Sequence, residues 1–407
     1  MIYQIVIRVL SPLVLLLTWL DGLKRNAEKP FVLNRLGLLL PTLNATPRRI
    51  WIHCASVGEV KAAEPIIKAL LKQANPPGLL ITSNTASAKR LITSLFSTTL
   101  DNYYCPLDYP SAIKRFLKRT KPTELMIVET EIWPNLYQQC ALNDISIRII
   151  NGRLSEKTLS APSWLQHTYQ AALQNVNQIL ARSQIDADNF IKLGADSRKL
   201  SVLGNLKFTH QQHIQHFANP MPRAYVLAAS THEDEEINMV TEWLALNRSE
   251  LLVIVPRHPN RSESIQKSLT ELNCHFKVAS QNEVITPDTQ IYLDDRIGFL
   301  LPLFEHAQLV IMGGSFVAKG GHNFIEPALY KKAILTGRDY RNFNDEFLLL
   351  KAHQGIISCE SYLQLSKQLT SLLNHPNDSK QLGENAYQAV QTKQNILAEY
   401  LHVLNIQ

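Results

Sequence analysis

Apolar residues along this chain gather in short unbroken runs more often than in strict alternation. Residues 50–54, 79–82, 125–128, 145–150 and 178–182 read as strands. Runs of that length fit strands covered on both faces, as in a parallel sheet. Between the first two, residues 60–72 carry Ile66, Ile67, Leu70 and Leu71 at helical spacing. Ser183 stands as an N-cap for a helix over residues 186–193. The pattern then restarts with a strand at 225–229, a helix from Asp234, and strands at 251–255, 290–293, 309–312 and 333–336. Alternating strand and helix predicts α/β architecture with helices on both faces of parallel sheets. The expectation is two doubly wound, Rossmann-like domains facing a cleft.

The pattern breaks at residues 207–223, where His210, His213 and His216 sit in a Gln-rich stretch closed by Pro220 and Pro222. Histidines at steps of three also suit a metal site, but no acidic or cysteine partner is near, and a polar linker is the reading taken. Residues 26–215 are therefore expected to form one domain and residues 216–407 a second. A last helical stretch, about 379–404, is expected to lean back on the first domain.

The first 20 residues are mostly apolar, interrupted by Gln4, Arg8, Ser11, Pro12 and Thr18. A spanning helix needs about 20 apolar residues, so residues 1–25 are read as a membrane-docking helix. Trp19 and Leu20 followed by Lys24 and Arg25 suit the headgroup region. The positive flank predicts a body on the cytoplasmic side of a membrane. No small-residue cleavage site follows, which argues against a signal peptide. A buried core helix is the alternative.

Composition narrows this picture. At 407 residues, two or three domains are expected. The net charge is +6, from 41 basic and 35 acidic side chains. This suits an anionic surface or anionic substrates and falls short of a nucleic-acid binder. The five cysteines have no metal-ligand spacing, and their odd number argues against a disulfide framework.

Ligands of doubly wound sheets bind beyond the carboxyl ends of strands, and the chemically suggestive residues fall there. Ser56-Val57-Gly58-Glu59 follows the first strand. A carboxylate at that helix start can take a proton from an alcohol or simply cap the helix. Glu129 and Glu131, two apart, follow the third run, and a solvated loop is the plainer account. Lys207, in Gly204-Asn205-Leu206-Lys207-Phe208, is placed to meet negative charge or to be one more surface lysine. Arg257, in Pro256-Arg257-His258-Pro259, suits a phosphate or a base edge. In Asp294-Asp295-Arg296-Ile297-Gly298-Phe299, Gly298 admits close approach by a base. Ordinary loops account for either segment equally well. The strongest local signal is the crowding of Gly313, Gly314, Gly320 and Gly321, four of only 15 glycines. They lead to a helix expected near Asn323, whose N–H groups suit a phosphate, and Glu326 suits two ribose hydroxyls.

Together these segments resemble the bacterial 3-deoxy-D-manno-octulosonic acid (Kdo) transferases of lipopolysaccharide assembly. The resemblance is carried in order by the N-terminal apolar segment and by residues 56–59, 129–135, 151–155, 204–208, 230–232, 256–259 and 313–327. It implies the two-domain GT-B glycosyltransferase architecture, CMP-Kdo as donor and a tetraacylated lipid A precursor as acceptor. It further implies Glu59 as general base, with Glu129 and Lys207 as transition-state stabilisers. The CMP site it implies comprises Pro256, Arg257, Ile297, Gly298, Phe299, Asn323, Phe324, Ile325 and Glu326. The chain departs from the pattern twice. Many members carry Gly where this chain has Asp234, and Glu where it has Phe299. The expected reaction is a single direct displacement without a cofactor or bound metal. Rival readings are a related sugar epimerase, another lipid glycosyltransferase, or a non-catalytic, membrane-docked nucleotide-binding protein.

Overall fold

The computed structural model of the protein describes residues 2–24, 27–28, 31–43, 46–96, 100–211 and 214–406. Arg25, His213 and the side chain of His210 lie outside the described residues. The chain forms two compact units, the first comprising residues 1–210 and 395–407, the second residues 211–394.

The first unit is built on seven strands, β1 Arg49–His53, β2 Gly78–Ser83, β3 Asp101–Tyr104, β4 Glu124–Val128, β5 Ser146–Gly152, β6 Gln178–Ala181 and β7 Leu200–Val202. They pair in parallel in the order β3-β2-β1-β4-β5-β6-β7. The register sets Trp51 opposite Leu80 on one side and Leu125 on the other. Trp51 is fully buried against Phe116, with ring centroids 4.6 Å apart, and its indole N–H donates to Thr82 Oγ1 at 2.7 Å. Ile50 and Ile52 are also fully buried. Each such side chain contributes about 1.5–3 kcal/mol.

The second unit repeats the plan with β8 Tyr225–Thr231, β9 Leu251–Pro256, β10 Phe276–Val278, β11 Ile291–Leu293, β12 Leu309–Met312, β13 Ala333–Thr336 and β14 Ile356–Ser358. Their order is β10-β11-β9-β8-β12-β13-β14, all parallel. The strands foreseen from the sequence are the five central ones of each sheet. The four that were not foreseen, β3, β7, β10 and β14, are the four sheet edges. Edge strands are covered less completely, and three- or four-residue segments such as Asp101–Tyr104 leave no apolar run to read.

Three local expectations change. The N-terminal segment is not one helix: Ile2–Val9 and Ser11–Lys24 are bent by 58°. Pro12 lies in the first turn of the second, where a missing N–H costs least. No single described helix is long and apolar enough to cross a membrane. The helix expected near Asn323 is only Ile325–Leu329. The C-terminal stretch is two helices, Pro376–Gln391 and Ile396–Val403, and the chain passes from the second unit to the first between them. Thr392, whose hydroxyl donates to the Ala389 carbonyl at 2.7 Å, stands at that break.

The departure at Asp234 has a backbone explanation. Asp234 sits at φ +72° ahead of the helix Glu235–Ala245. Glycine adopts that conformation freely, and aspartate is among the few other residues that tolerate it.

The helix Ile396–Val403 packs within the first unit through Tyr400, which is fully buried. Its hydroxyl accepts from the Asn151 N–H at 3.3 Å and donates to the Gly204 carbonyl at 3.1 Å. Gly204, at φ +98°, lies so close to Ile396 that a Cβ would fall 2.6 Å from its Cδ1. Tyr400→Phe leaves two buried backbone groups without this partner and should cost about 1–3 kcal/mol. An unchanged urea midpoint would show that the hydroxyl holds nothing.

Candidate functional site

In the first unit the strand order reverses between β1 and β4, which lie side by side although β2 and β3 intervene in sequence. Parallel strands present all their carboxyl ends at one edge, and the crevice at such a reversal is where doubly wound sheets bind ligands. Glu59 follows β1, Glu129 follows β4, and Lys207 follows β7.

Glu59 lies in the first turn of the helix Val57–Leu71. Ser56 is the N-cap, accepting from the Glu59 N–H at 3.3 Å and donating its hydroxyl to Glu59 Oε1 at 2.9 Å. The Ala55 N–H donates to Oε2 at 2.6 Å. This is a reciprocal cap, so the plainer role foreseen for Glu59 is present. Two acceptor sites are used, and a carboxylate offers about four. The side chain is buried, at 9% exposure. Burial, with smaller contributions from the charges of Glu131 and Glu129, outweighs the opposing pull of His53 and the Ala55 N–H and pushes its pKa up to about 7. A carboxyl that ionises near neutrality is matched to proton abstraction from an alcohol.

Glu129 occupies the left-handed region at φ +63°. That conformation costs on the order of 1–3 kcal/mol in a residue other than glycine. Its N–H donates to the Ile150 carbonyl at 3.0 Å. The carboxylate is held between two cations: Lys207 Nζ stands 3.6 Å from Oε1 and Arg153 Nη1 3.9 Å from Oε2. The Lys207 segment is pinned by backbone bonds. Leu206 N–H donates to Asn151 Oδ1, and Lys207 N–H to Asn205 Oδ1, both at 3.0 Å.

Glu131 does different work from Glu129. It accepts from Trp133 Nε1 at 2.7 Å and Asn84 Nδ2 at 3.2 Å, and lies 3.9 Å from His53 Nε2. Burial raises its pKa, but His53 and these donors reverse that and leave it low. His53, fully buried, moves the other way: burial opposes its charge, and Cys105 and Glu131 raise its pKa.

In the second unit the order reverses between β8 and β12. Pro256 is buried at the end of β9, and Arg257, next to it, is exposed. Arg296 is tied to buried Asp294 at 2.7 and 2.9 Å and lies over the Phe299 ring, 4.0 Å from its centroid. Ile297 is 85% and Phe299 43% exposed, and a Cβ on Gly298 would meet nothing within 4 Å. Ile297 and the Gly298 backbone are open, while Arg296 covers one face of the Phe299 ring. Asn323 donates to Glu326 Oε1 at 3.1 Å. Phe324 and Ile325 are buried, so their side chains belong to the core and only their backbone is available to a ligand.

The glycine-rich segment differs from its expected use. The N–H groups of Gly314, Ser315 and Phe316 donate to the buried Glu235 carboxylate at 2.7, 3.2 and 3.0 Å, and His232 N–H donates to it at 2.9 Å. The anion cradle is filled from within. Gly313 is needed because a Cβ there would stand 2.6 Å from the Ser230 carbonyl oxygen.

Arg153, His53, Tyr400, Glu235 and the pair His232 and His322 were not singled out by sequence reasoning. Several lie inside the recognised segments; their partners, far away in sequence, give them their roles.

Comparison with known proteins agrees with this geometry. Residues 32–210 match the family profile described as 3-deoxy-D-manno-octulosonic-acid transferase (kdotransferase). The chain is 29% identical over 414 residues to a 3-deoxy-D-manno-octulosonic acid transferase of Haemophilus influenzae, covering 99% of this chain and 97% of that protein. It is 31% identical over 378 residues to the corresponding transferase of Rickettsia felis, covering 87% and 78%. Among solved structures, UDP-GlcNAc 2-epimerase of Neisseria meningitidis matches with a TM-score of 0.59 at 16% identity, covering 88% of this chain and all of that one. A glycosyltransferase of Rickettsia africae matches at 0.56 and 13% identity, covering 88% and 98%. These two likenesses show the fold, two Rossmann-like parallel-sheet domains of the GT-B kind.

Proposed function

The chain belongs to the Kdo transferase family, and from that premise we propose that it moves Kdo from CMP-Kdo to a tetraacylated lipid A precursor, releasing CMP, with Glu59 as general base. Family membership makes it a glycosyltransferase of lipopolysaccharide biosynthesis. The observation that carries the proposed chemistry is Glu59, a buried carboxyl at the strand-order reversal that ionises near pH 7.

In the proposed step the acceptor hydroxyl gives its proton to Glu59 as its oxygen bonds to the anomeric carbon of Kdo. The bond from that carbon to the phosphate oxygen breaks, and CMP leaves with the electron pair. Glu129, fixed between Lys207 and Arg153, suits positive charge developing at the anomeric carbon. The two cations suit the negative charge of the sugar acid and the leaving group. The backbone of Ile297, Gly298 and Phe299 suits the cytosine base, since Phe299 stands where many members carry Glu, Arg257 suits the phosphate, and Glu326 with Asn323 suits the ribose hydroxyls. The charge carriers in this scheme are side chains, and it calls on no cofactor or divalent ion.

The acceptor is a lipid, and we propose that the protein works on the cytoplasmic side of the inner membrane. Ile2, Ile5 and Val9 on the first N-terminal helix, Leu10 at the break, and Leu13, Leu16, Leu17, Trp19, Leu20 and Leu23 on the second are all exposed. Tyr3 ties the first helix to the body by donating to Asp108 Oδ2 at 2.6 Å. A groove of about 780 Å³ opens beside that helix, its lining half apolar (Ile2, Pro134, Trp164) and half polar (Gln4, Gln138, His167). Apolar side chains on a helix bind an interface, helped by basic charge toward anionic lipid.

Glu59→Gln should lower transfer about 10²- to 10⁴-fold while leaving CMP affinity unchanged, as measured by product formation and calorimetry. The base must be ionised to act, so the wild-type rate should rise with pH and level off above about 7. A Gln variant with wild-type turnover, or a rate flat from about pH 6 to pH 8, would remove Glu59 from the role.

Replacing Leu13 and Leu17 together by Glu should weaken co-sedimentation with anionic lipid vesicles, with CMP affinity unchanged. Added salt should release the wild type further, because it screens attraction to the lipid surface. Vesicle binding untouched by the double substitution would contradict the docking role.

A further inference from the structure

Three histidines lie on loops after neighbouring strands of the second unit: His232 after β8, His258 after β9, and His322 in the glycine-rich segment after β12. The sheet order sets β9, β8 and β12 side by side, and the rings meet. His232 and His322 are parallel, with an interplanar angle of 1°, centroids 5.2 Å apart and Nε2 atoms 2.9 Å apart. His258 meets His232 edge-on, with centroids at 5.6 Å. Gly314 makes room for the pair: a Cβ there would stand 2.9 Å from His322 Nε2 and 3.2 Å from His232 Cδ2.

Two ring nitrogens at hydrogen-bond distance share one hydrogen, so one ring donates and the other accepts. A neutral imidazole has one N–H and one bare nitrogen. The accepting ring therefore carries its N–H on Nδ1, and the donating ring has a bare Nδ1. The neutral pair turns one donor and one acceptor outward. One added proton, on the bare Nδ1, makes both outward nitrogens donors, gives the pair a positive charge and keeps the bond between the Nε2 atoms. No hydrogen bond among the described residues occupies either Nδ1.

The surroundings suit an anion. Glu235 is committed to four backbone N–H groups. Glu236 is committed to Arg261, at 2.8 and 3.2 Å, and to the Thr231 hydroxyl at 2.9 Å. Arg257 and Lys319 have no ion-pair partner among the described residues. Burial, followed by His232, Arg257 and His258, lowers the His322 pKa to about 4. Burial, followed by His258, Lys319 and Arg261 and partly offset by Glu236, lowers that of His232. An arriving anion reverses the sign of the field that keeps the pair neutral.

We propose that His232 and His322 form one proton-accepting pair that, with Arg257 and Lys319, binds the phosphate of the nucleotide and takes up one proton as it binds. This rests on the reading of the second unit as the CMP site and adds the groups that meet the phosphate. It also answers what the glycine-rich segment leaves open, since the N–H groups of Gly314, Ser315 and Phe316 are already given to Glu235.

The test is titration calorimetry of CMP into the full chain, in buffers of different ionisation enthalpy. Net proton uptake that grows as the pH falls from about 8 to 7 is expected, with CMP affinity tightening over the same range. The ligand alone gives the opposite sign: a phosphate monoester still holds some proton near its second pKa of about 6, and a cationic site expels it. Cytidine, which lacks the phosphate, should bind without uptake. His322→Asn and His232→Asn should each abolish the uptake and flatten the pH dependence. Wild-type protein that binds CMP without uptake overturns the inference and requires no variant. Folded variants that keep the uptake overturn it as well. If the wild type does not bind CMP at all, the functional reading fails and this inference falls with it.

Discussion

Every chemically distinctive group in this protein depends on strands that lie parallel and are buried on both faces. Parallel pairing puts the carboxyl ends of β1, β4, β5 and β7 at one edge of the first sheet, and those of β8, β9, β11 and β12 at one edge of the second. The loops at those edges begin from backbone that cannot shift, because residues such as Ile50, Ile52, Val226 and Ile311 are buried to 1% exposure or less. Each reversal of strand order then opens a place where two loops diverge. Glu59 and Glu129 flank one reversal; His232 and the glycine-rich segment flank the other.

The energetics of these edges concern charge kept out of water. An uncompensated buried charge is costly, and the polar residues here are paired or pushed toward neutrality. Glu129 is held between Lys207 and Arg153, and half-buried Glu131 stands 3.9 Å from the buried ring of His53. Glu235 is stabilised by backbone N–H groups from two loops. Glu59 keeps the Ala55 and Ser56 donors, and burial pushes its pKa up to about 7, so that it is about half ionised near neutral pH. A group poised between two protonation states is what a proton transfer requires. The pair His232 and His322 shows the same economy with opposite charge, one shared hydrogen serving two rings.

What the sequence made legible follows the same physics. The ten central strands announce themselves because burial on both faces demands apolar runs. The edges β3, β7, β10 and β14 meet no such demand and left no pattern. Glu59 and Glu129 draw attention because they follow foreseen strands and Lys207 because it precedes the linker, and the resemblance to one family is what gives them proposed roles. The glycine concentration points in the sequence to a phosphate, whereas what lies against Gly313 and Gly314 is the protein itself, the Ser230 carbonyl and Glu235. Contacts across many residues were beyond local pattern: Tyr400 to Gly204, Arg153 to Glu129 and His232 to His322 exist only once the sheets form. The continuous C-terminal helix was misread because residues 392–395 contain no glycine or proline to mark the break.

Transfer of the sugar acid from a cytidine nucleotide to a lipid A precursor is the reaction we propose for this member of the Kdo transferase family. Mass spectrometry of the lipid after incubation with CMP-Kdo tests it most directly. The account predicts lipid whose mass has grown by one or more Kdo residues, with one CMP released for each. CMP released while the lipid keeps its original mass, or donor and lipid both unchanged with folded protein, would contradict it.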